Sequence, residues 1–123
     1  MTNNDAVQHP KHYTQGGVEC IEIVGNMNMC LGAAVKYLWR YQDKENPLQD
    51  LNKALWYINY YLENINEYLP VPTDVRNQFQ SRGVYDILCE FQEDTIVPGV
   101  IELIIYCDVE GARDELESFI TTL

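Results

Sequence analysis

The stretch Pro47–Leu69, PLQDLNKALWYINYYLENINEYL, places Leu48, Leu51, Leu55, Ile58, Leu62, Ile65 and Leu69 at alternating steps of three and four. That is the spacing of one face of an α-helix, sustained for three heptads. The spacing predicts a long helix ended by Pro70-Val71-Pro72, packed against a neighbouring helix of the same chain or against a second copy. Tyr57, Tyr60, Tyr61 and Tyr68 flank the seam. Their amphipathic rings suit a core edge, an oligomer interface or a platform on which a base could stack.

Working outward, Leu31 to Gln42 carries Leu31, Ala34, Val35, Leu38 and Tyr41 at helical spacing, which predicts a second helix. Lys36, Arg40 and Lys44 follow one another at i+4 on a different stripe of it. An earlier helix is expected from near Val18 through Ile21, Val24 and Met27, entered from a turn at Thr14-Gln15-Gly16-Gly17. His9-Pro10-Lys11-His12-Tyr13 reads as extended, because the residue before proline is pushed out of the α region. Beyond Pro72 a helical stretch is expected over residues 73–93, interrupted at Ser81-Arg82-Gly83, with Thr73 as N-cap. Pro98-Gly99 reads as a connection, Val100–Cys107 suits either helix or strand, and Asp108–Leu123 reads as a last amphipathic helix. The fold class expected is therefore mainly α: a small helical bundle with an extended N-terminal segment and an acidic, helical C-terminal part. Residues 1–70 and 71–123 divide at the proline pair.

The 123 residues carry a net charge of −11, with 46% hydrophobic and 22% charged residues. That composition suits one globular domain and opposes non-specific binding to nucleic acid. Lys11, Lys36, Arg40, Lys44 and Lys53 put five of the eight cations in the first half, with His9 and His12 beside them. Residues 71–123 hold three arginines against eleven carboxylates, which suggests a solvated or partner-facing surface. Cys20, Cys30, Cys89 and Cys107 form no C-x-x-C pair and read as reduced, buried thiols of a cytosolic protein. No apolar run approaches the ~20 residues of a membrane helix, so no membrane partner is expected.

A cluster of cations in an acidic chain points to a small anion. The Thr14–Gly17 turn could offer backbone N–H groups to a phosphate, and it is equally an ordinary turn. There is no G-x-x-x-x-G-K-[ST] loop, so phosphoryl transfer would need Lys36, Arg40 and Lys53 to neutralise charge and His12 or Tyr13 to orient the reactants. The alternative is that Lys36 and Arg40 pair with Asp50 or Asp43. His9 and His12 with Glu19 make a conceivable metal set, and Glu19 with Glu22 could hold Mg²⁺ or orient a lysine. Glu90-x-x-Glu93 and Asp114-x-x-Glu117 are similar to the paired carboxylates of all-α nucleoside-triphosphate pyrophosphatases, with the second pair reversed; a solvated face gives the same spacing.

Taken together, HPKHYTQGGVECIE, LGAAVKYLWRYQDK and PLQDLNKALWYI resemble a family of small tailed-bacteriophage proteins described as SaV-like or nucleotide kinase-like. The resemblance covers about half of the chain. It implies a phage early protein of the host cytoplasm that acts on deoxynucleotides, a deoxynucleoside-monophosphate kinase without a Walker loop, and a homo-oligomer. The matching positions are His9, His12, Tyr13, Glu19, Lys36, Tyr37, Arg40, Lys44, Asp50, Lys53 and Ala54. By their chemistry, His12, Lys36, Arg40 and Lys53 would be the catalytic, phosphate-facing groups. His9, Lys11, Tyr13, Gly16, Gly17 and Lys44 would hold the nucleotide or a nucleoside-triphosphate donor, and Glu19 and Asp50 would serve Mg²⁺. Two rival expectations are a non-catalytic nucleotide sponge and an inhibitor of a host protein that uses the acidic second half.

Overall fold

The computed structural model describes residues 14–15, 18–43 and 45–123. Among these, Thr14–Gln15 (β1) pairs antiparallel with Val18–Glu19 (β2), and seven α-helices follow. They are α1 (Cys20–Val24), α2 (Met29–Arg40), α3 (Pro47–Asn64), α4 (Thr73–Ser81), α5 (Val84–Gln92), α6 (Ile96–Ile105) and α7 (Val109–Thr121). A single 3₁₀ turn, Tyr41–Asp43, extends α2. The chain is thus a small, mainly α bundle with a helical, acidic C-terminal part. No helix among the described residues is long and apolar enough to cross a membrane.

The first helix differs most from expectation. Val18 and Glu19 are strand, Val18 is buried, and α1 spans only five residues before Gly25. Pairing with β1 captures the residues expected to open the helix. The helix starts two residues later than expected, on Glu19 as its cap, where Glu22 accepts the Glu19 N–H at 3.2 Å. The segment expected to be extended, His9–Tyr13, lies outside the described residues.

The next two helices begin on side-chain caps. Asn28 accepts the Cys30 N–H at 2.8 Å, and Asn46 accepts the Gln49 N–H at 3.0 Å with Pro47 in the first turn. Each cap satisfies one of the orphan donors of a helix start. α2 starts two residues before the expected Leu31 and gives way to the 3₁₀ turn after Arg40. α3 stops at Asn64, six residues short of Pro70. Asn66 turns into the left-handed region (φ 49°), and the Tyr61 hydroxyl accepts the Glu67 N–H at 2.8 Å.

The buried face of α3 is Asp50, Leu51, Ala54, Ile58 and Tyr61, with Leu55 and Leu62 at its edge. Leu48, Ile65 and Leu69, the ends of the predicted seam, are exposed. Ile65 and Leu69 lie beyond the helix end at Asn64, so the repeat no longer holds them on its buried face.

The second half is built on the first. α7 lies against α3, α6 against α2, and Ile101, Ile104, Ile105, Ala112 and Leu116 join Leu31, Leu38, Leu51 and Ile58 in one continuous core. Val100–Cys107, open between helix and strand, is helical to Ile105: Val97, Val100, Ile101, Ile104 and Ile105 all face inward at helical spacing. Burial on one helix face overrides the β preference of valine and isoleucine. Pro98 and Gly99, expected as a connection, lie in the first turn of α6, where proline gives up only an N–H that has no intrahelical partner. Thr73 is the first helical residue of α4 and makes no capping bond, because Pro72 takes the cap position. The expected interruption between α4 and α5 is present, with Gly83 at φ 62°.

A polar strut ties the end of α2 to the second half. Gln92 Nε2 donates to the Leu38 and Trp39 carbonyls, each at 3.0 Å, inside the core. The Tyr41 hydroxyl donates to Asp94, whose other oxygen accepts the Val97 N–H at the start of α6.

Candidate functional site

α2 and α3 are the most intimately packed pair, and their solvent-facing shoulder gathers most of the described cations of the first half. On α2 the buried stripe is Leu31, Ala34, Val35 and Leu38; one step round the helix lie Ala33, Lys36, Tyr37 and Arg40. On α3, Lys53 and Tyr57 are one turn apart and face them. Ala33, Lys36, Tyr37, Arg40 and Tyr57 line a cavity of about 240 Å³.

The Tyr37 ring organises this cavity. It stacks on Tyr57 with centroids 6.0 Å apart and an interplanar angle of 17°. The Arg40 guanidinium sits 4.8 Å from its centroid and Lys53 Nζ 5.4 Å. Two cations are thus each held to one aromatic ring by its quadrupole. Arg40 Nη2 also lies 3.7 Å from Oδ1 of Asp50, a carboxylate only 4% exposed. The expected pairing of Arg40 with Asp50 is therefore present.

Lys36 is exposed, and its charge is felt at the Cys20 thiol. Burial pushes that thiol up to about 12, with Lys36 opposing the rise. Cys20 is thus protonated at neutral pH and is not a nucleophile. All four cysteines are free; Cys20 is buried, whereas Cys30, Cys89 and Cys107 are half-buried rather than fully enclosed as expected.

Of the residues expected to form a site, the structure brings Arg40 and Lys53 to the Tyr37 ring, places Lys36 in the same cavity lining as Arg40, and sets Asp50 against Arg40. His9, Lys11, His12, Tyr13, Gly16, Gly17 and Lys44 lie outside the described residues. Glu19 stands on β2, and its neighbour Glu22 is taken by Arg82 at 2.5 Å. Among the described residues no three His, Cys, Asp or Glu side chains gather in a group that could hold a metal ion. Glu90, Glu93, Asp114 and Glu117 are exposed, which is the solvated-face arrangement. Of the flanking tyrosines, Tyr57 lines the cavity, Tyr60 lies outside it, Tyr61 is core and Tyr68 is fully exposed.

Trp56 escaped the reading of the sequence. It lies beside Tyr57, ring edge to face at 5.1 Å, and stacks on Tyr60 at 5.5 Å, yet remains 59% exposed. The signal was present in the spacing: Lys53, Trp56, Tyr57 and Tyr60 are at i, i+3, i+4 and i+7, one helix face.

Residues 7–59, less than half of the chain, match a family model described as a protein of unknown function, DUF3310. The matched stretch contains every residue named around Tyr37. No curated protein and no solved structure matches the chain.

Proposed function

We propose that the chain binds a nucleotide through its phosphate, in the cavity between α2 and α3. The observation that carries this reading is that Lys36 and Arg40 line one cavity with Tyr37, while Lys53 approaches the same ring, in a protein of net charge −11. A concave cationic site walled by tyrosines offers charge to a phosphate and flat apolar surface to the rest of the ligand. The resemblance to nucleotide kinase-like phage proteins supports the same ligand class, and with it a role in the host cytoplasm.

The geometry supports binding more directly than transfer. Arg40 is already engaged by Asp50, so a phosphate would draw on Arg40 only by competing with that buried carboxylate. Each charge-assisted contact of this kind is worth about 1.5–3 kcal/mol, or roughly ten- to a hundredfold in affinity.

Titration calorimetry with deoxynucleoside monophosphates at fixed ionic strength tests the reading. Saturable one-to-one binding is expected, weakened at least tenfold by Lys36→Ala with Lys53→Ala. Absence of binding by nucleotides and by inorganic pyrophosphate would overturn it. Adding a triphosphate donor and separating the products distinguishes the two forms of the proposal: a diphosphate product identifies a kinase, and unchanged ligand identifies a binder or sponge.

A further inference from the structure

A second, open cavity of about 470 Å³ lies on the exposed face of α3, lined by Asn46, Leu48, Gln49, Asn52, Lys53 and Trp56. Lys53 lines only this cavity, and its Nζ lies 5.4 Å from the ring centroid of Tyr37, a residue that lines the first. The aromatic wall is also continuous: Tyr37 stacks on Tyr57, and Trp56 meets Tyr57 edge to face. We propose that this second cavity is a nucleobase subsite, with the Trp56 ring as its stacking platform. This inference rests on the phosphate site proposed above and adds to it the part of the ligand that the cations cannot recognise.

Three features argue for a base as the occupant. Trp56 keeps 59% of its surface exposed although Tyr57 and Tyr60 flank it, so an open indole face remains at the rim of a cavity. The cavity otherwise presents the amides of Gln49 and Asn52, each pairing a donor with an acceptor, as the edge of a base requires, while the Asn46 oxygen is taken up by the Gln49 N–H as the helix cap. Lys53 sets a cation at this cavity and near Tyr37, within reach of a phosphate bound beside that ring. A polymer is disfavoured by the chain's strong negative charge, whereas a single nucleotide places one base and one phosphate in the two cavities.

Trp56 is a convenient reporter, because the other tryptophan, Trp39, is buried in the core. Deoxyadenosine monophosphate is expected to quench tryptophan emission on binding, and inorganic pyrophosphate to bind without quenching. Trp56→Leu is expected to weaken the nucleotide about tenfold while leaving pyrophosphate affinity unchanged, and Trp56→Phe, which keeps a ring, to retain most of the affinity. Should Trp56→Leu leave nucleotide affinity intact while Lys36→Ala with Lys53→Ala abolishes it, the base subsite is overturned and the phosphate site stands. Failure of both ligands to bind would overturn both. A concentration-dependent blue shift of Trp56 without ligand, with loss of a dimer in Trp56→Leu, would assign this face to a second copy and overturn the subsite.

Discussion

At the scale of single residues, Arg40 has two claims on it. Its guanidinium lies over Tyr37 at the cavity and also 3.7 Å from Asp50, a carboxylate almost entirely out of water. The second oxygen of Asp50 is buried and accepts no hydrogen bond among the described residues, so Arg40 is the main compensation for that charge. Removing one partner of a buried ion pair leaves the other charge unpaired, at a cost of about 3–5 kcal/mol. Arg40→Ala is therefore expected to lower the free energy of unfolding in urea by about that amount, against a change within about 0.5 kcal/mol for Lys36→Ala or Lys53→Ala, both exposed. Adding Asp50→Asn to Arg40→Ala should recover part of the loss. Equal stability of the three single variants would show that Asp50 is solvated in solution. The basic character of these residues could be read from the sequence. The pairing of Arg40 with Asp50 was also among the alternatives the sequence offered; the burial of Asp50, which makes that pair matter to stability, was not, because it depends on Asp50 turning inward from the next helix.

At the scale of elements, the short α1 is held partly by a clip to the end of α4, Arg82 Nη1 to Glu22 Oε2 at 2.5 Å. Desolvation, the largest single influence, pushes the Glu22 carboxyl up, but the Glu19 N–H and the hydrogen bond and charge of Arg82 together outweigh it and hold the group below its ordinary value of 4.5. The folded state thus resists protonation more than the unfolded chain does. The resulting stability is fully present above about pH 4.5 and is lost as pH falls through the lower folded value. Both partners are more than a third exposed, so the contribution at neutral pH is only about 0.2–1 kcal/mol. Glu22→Gln is expected to be less stable than the parent by that margin at pH 7, with the gap closing under acid; a gap independent of pH would refute the clip. This contact, sixty residues apart in the chain, had no sequence signal. Helices with a strong one-sided pattern and a good cap, such as α2, α3 and α7, were legible to within a few residues. α1 was not, since pairing of Val18–Glu19 with β1 is a tertiary choice. In α6 the valine and isoleucine run was equally compatible with a strand until its burial against α2 and α7 decided the matter.

At the scale of the whole molecule, the proline pair at residues 70 and 72 reads as a boundary, and the family match ends earlier still, at residue 59. The packing does not respect that division. Val71 is fully buried between the two halves of the sequence, α7 covers α3, α6 covers α2, and Gln92 and Asp94 reach back to the last turn of α2 beside Arg40. The site lies wholly in the first half, whereas much of the core that holds its two helices in place comes from the second. A fragment ending at Pro72 would expose the inner faces of α2 and α3, including Leu31, Leu38, Leu51 and Ile58, each of which is worth about 1.5–3 kcal/mol when buried. Four such side chains together match the whole stability of a typical domain. The fragment 1–72 is therefore expected to show no cooperative thermal transition and to bind dyes specific for exposed apolar surface, while the full chain unfolds in a single step. A cooperative transition in the fragment would mean that α2 and α3 can repack alone, and that the acidic half is an appendage. Otherwise nine of the eleven carboxylates of residues 71–123, all but the half-buried Asp94 and Glu102, are the solvated outer surface of a half whose apolar side chains complete the core.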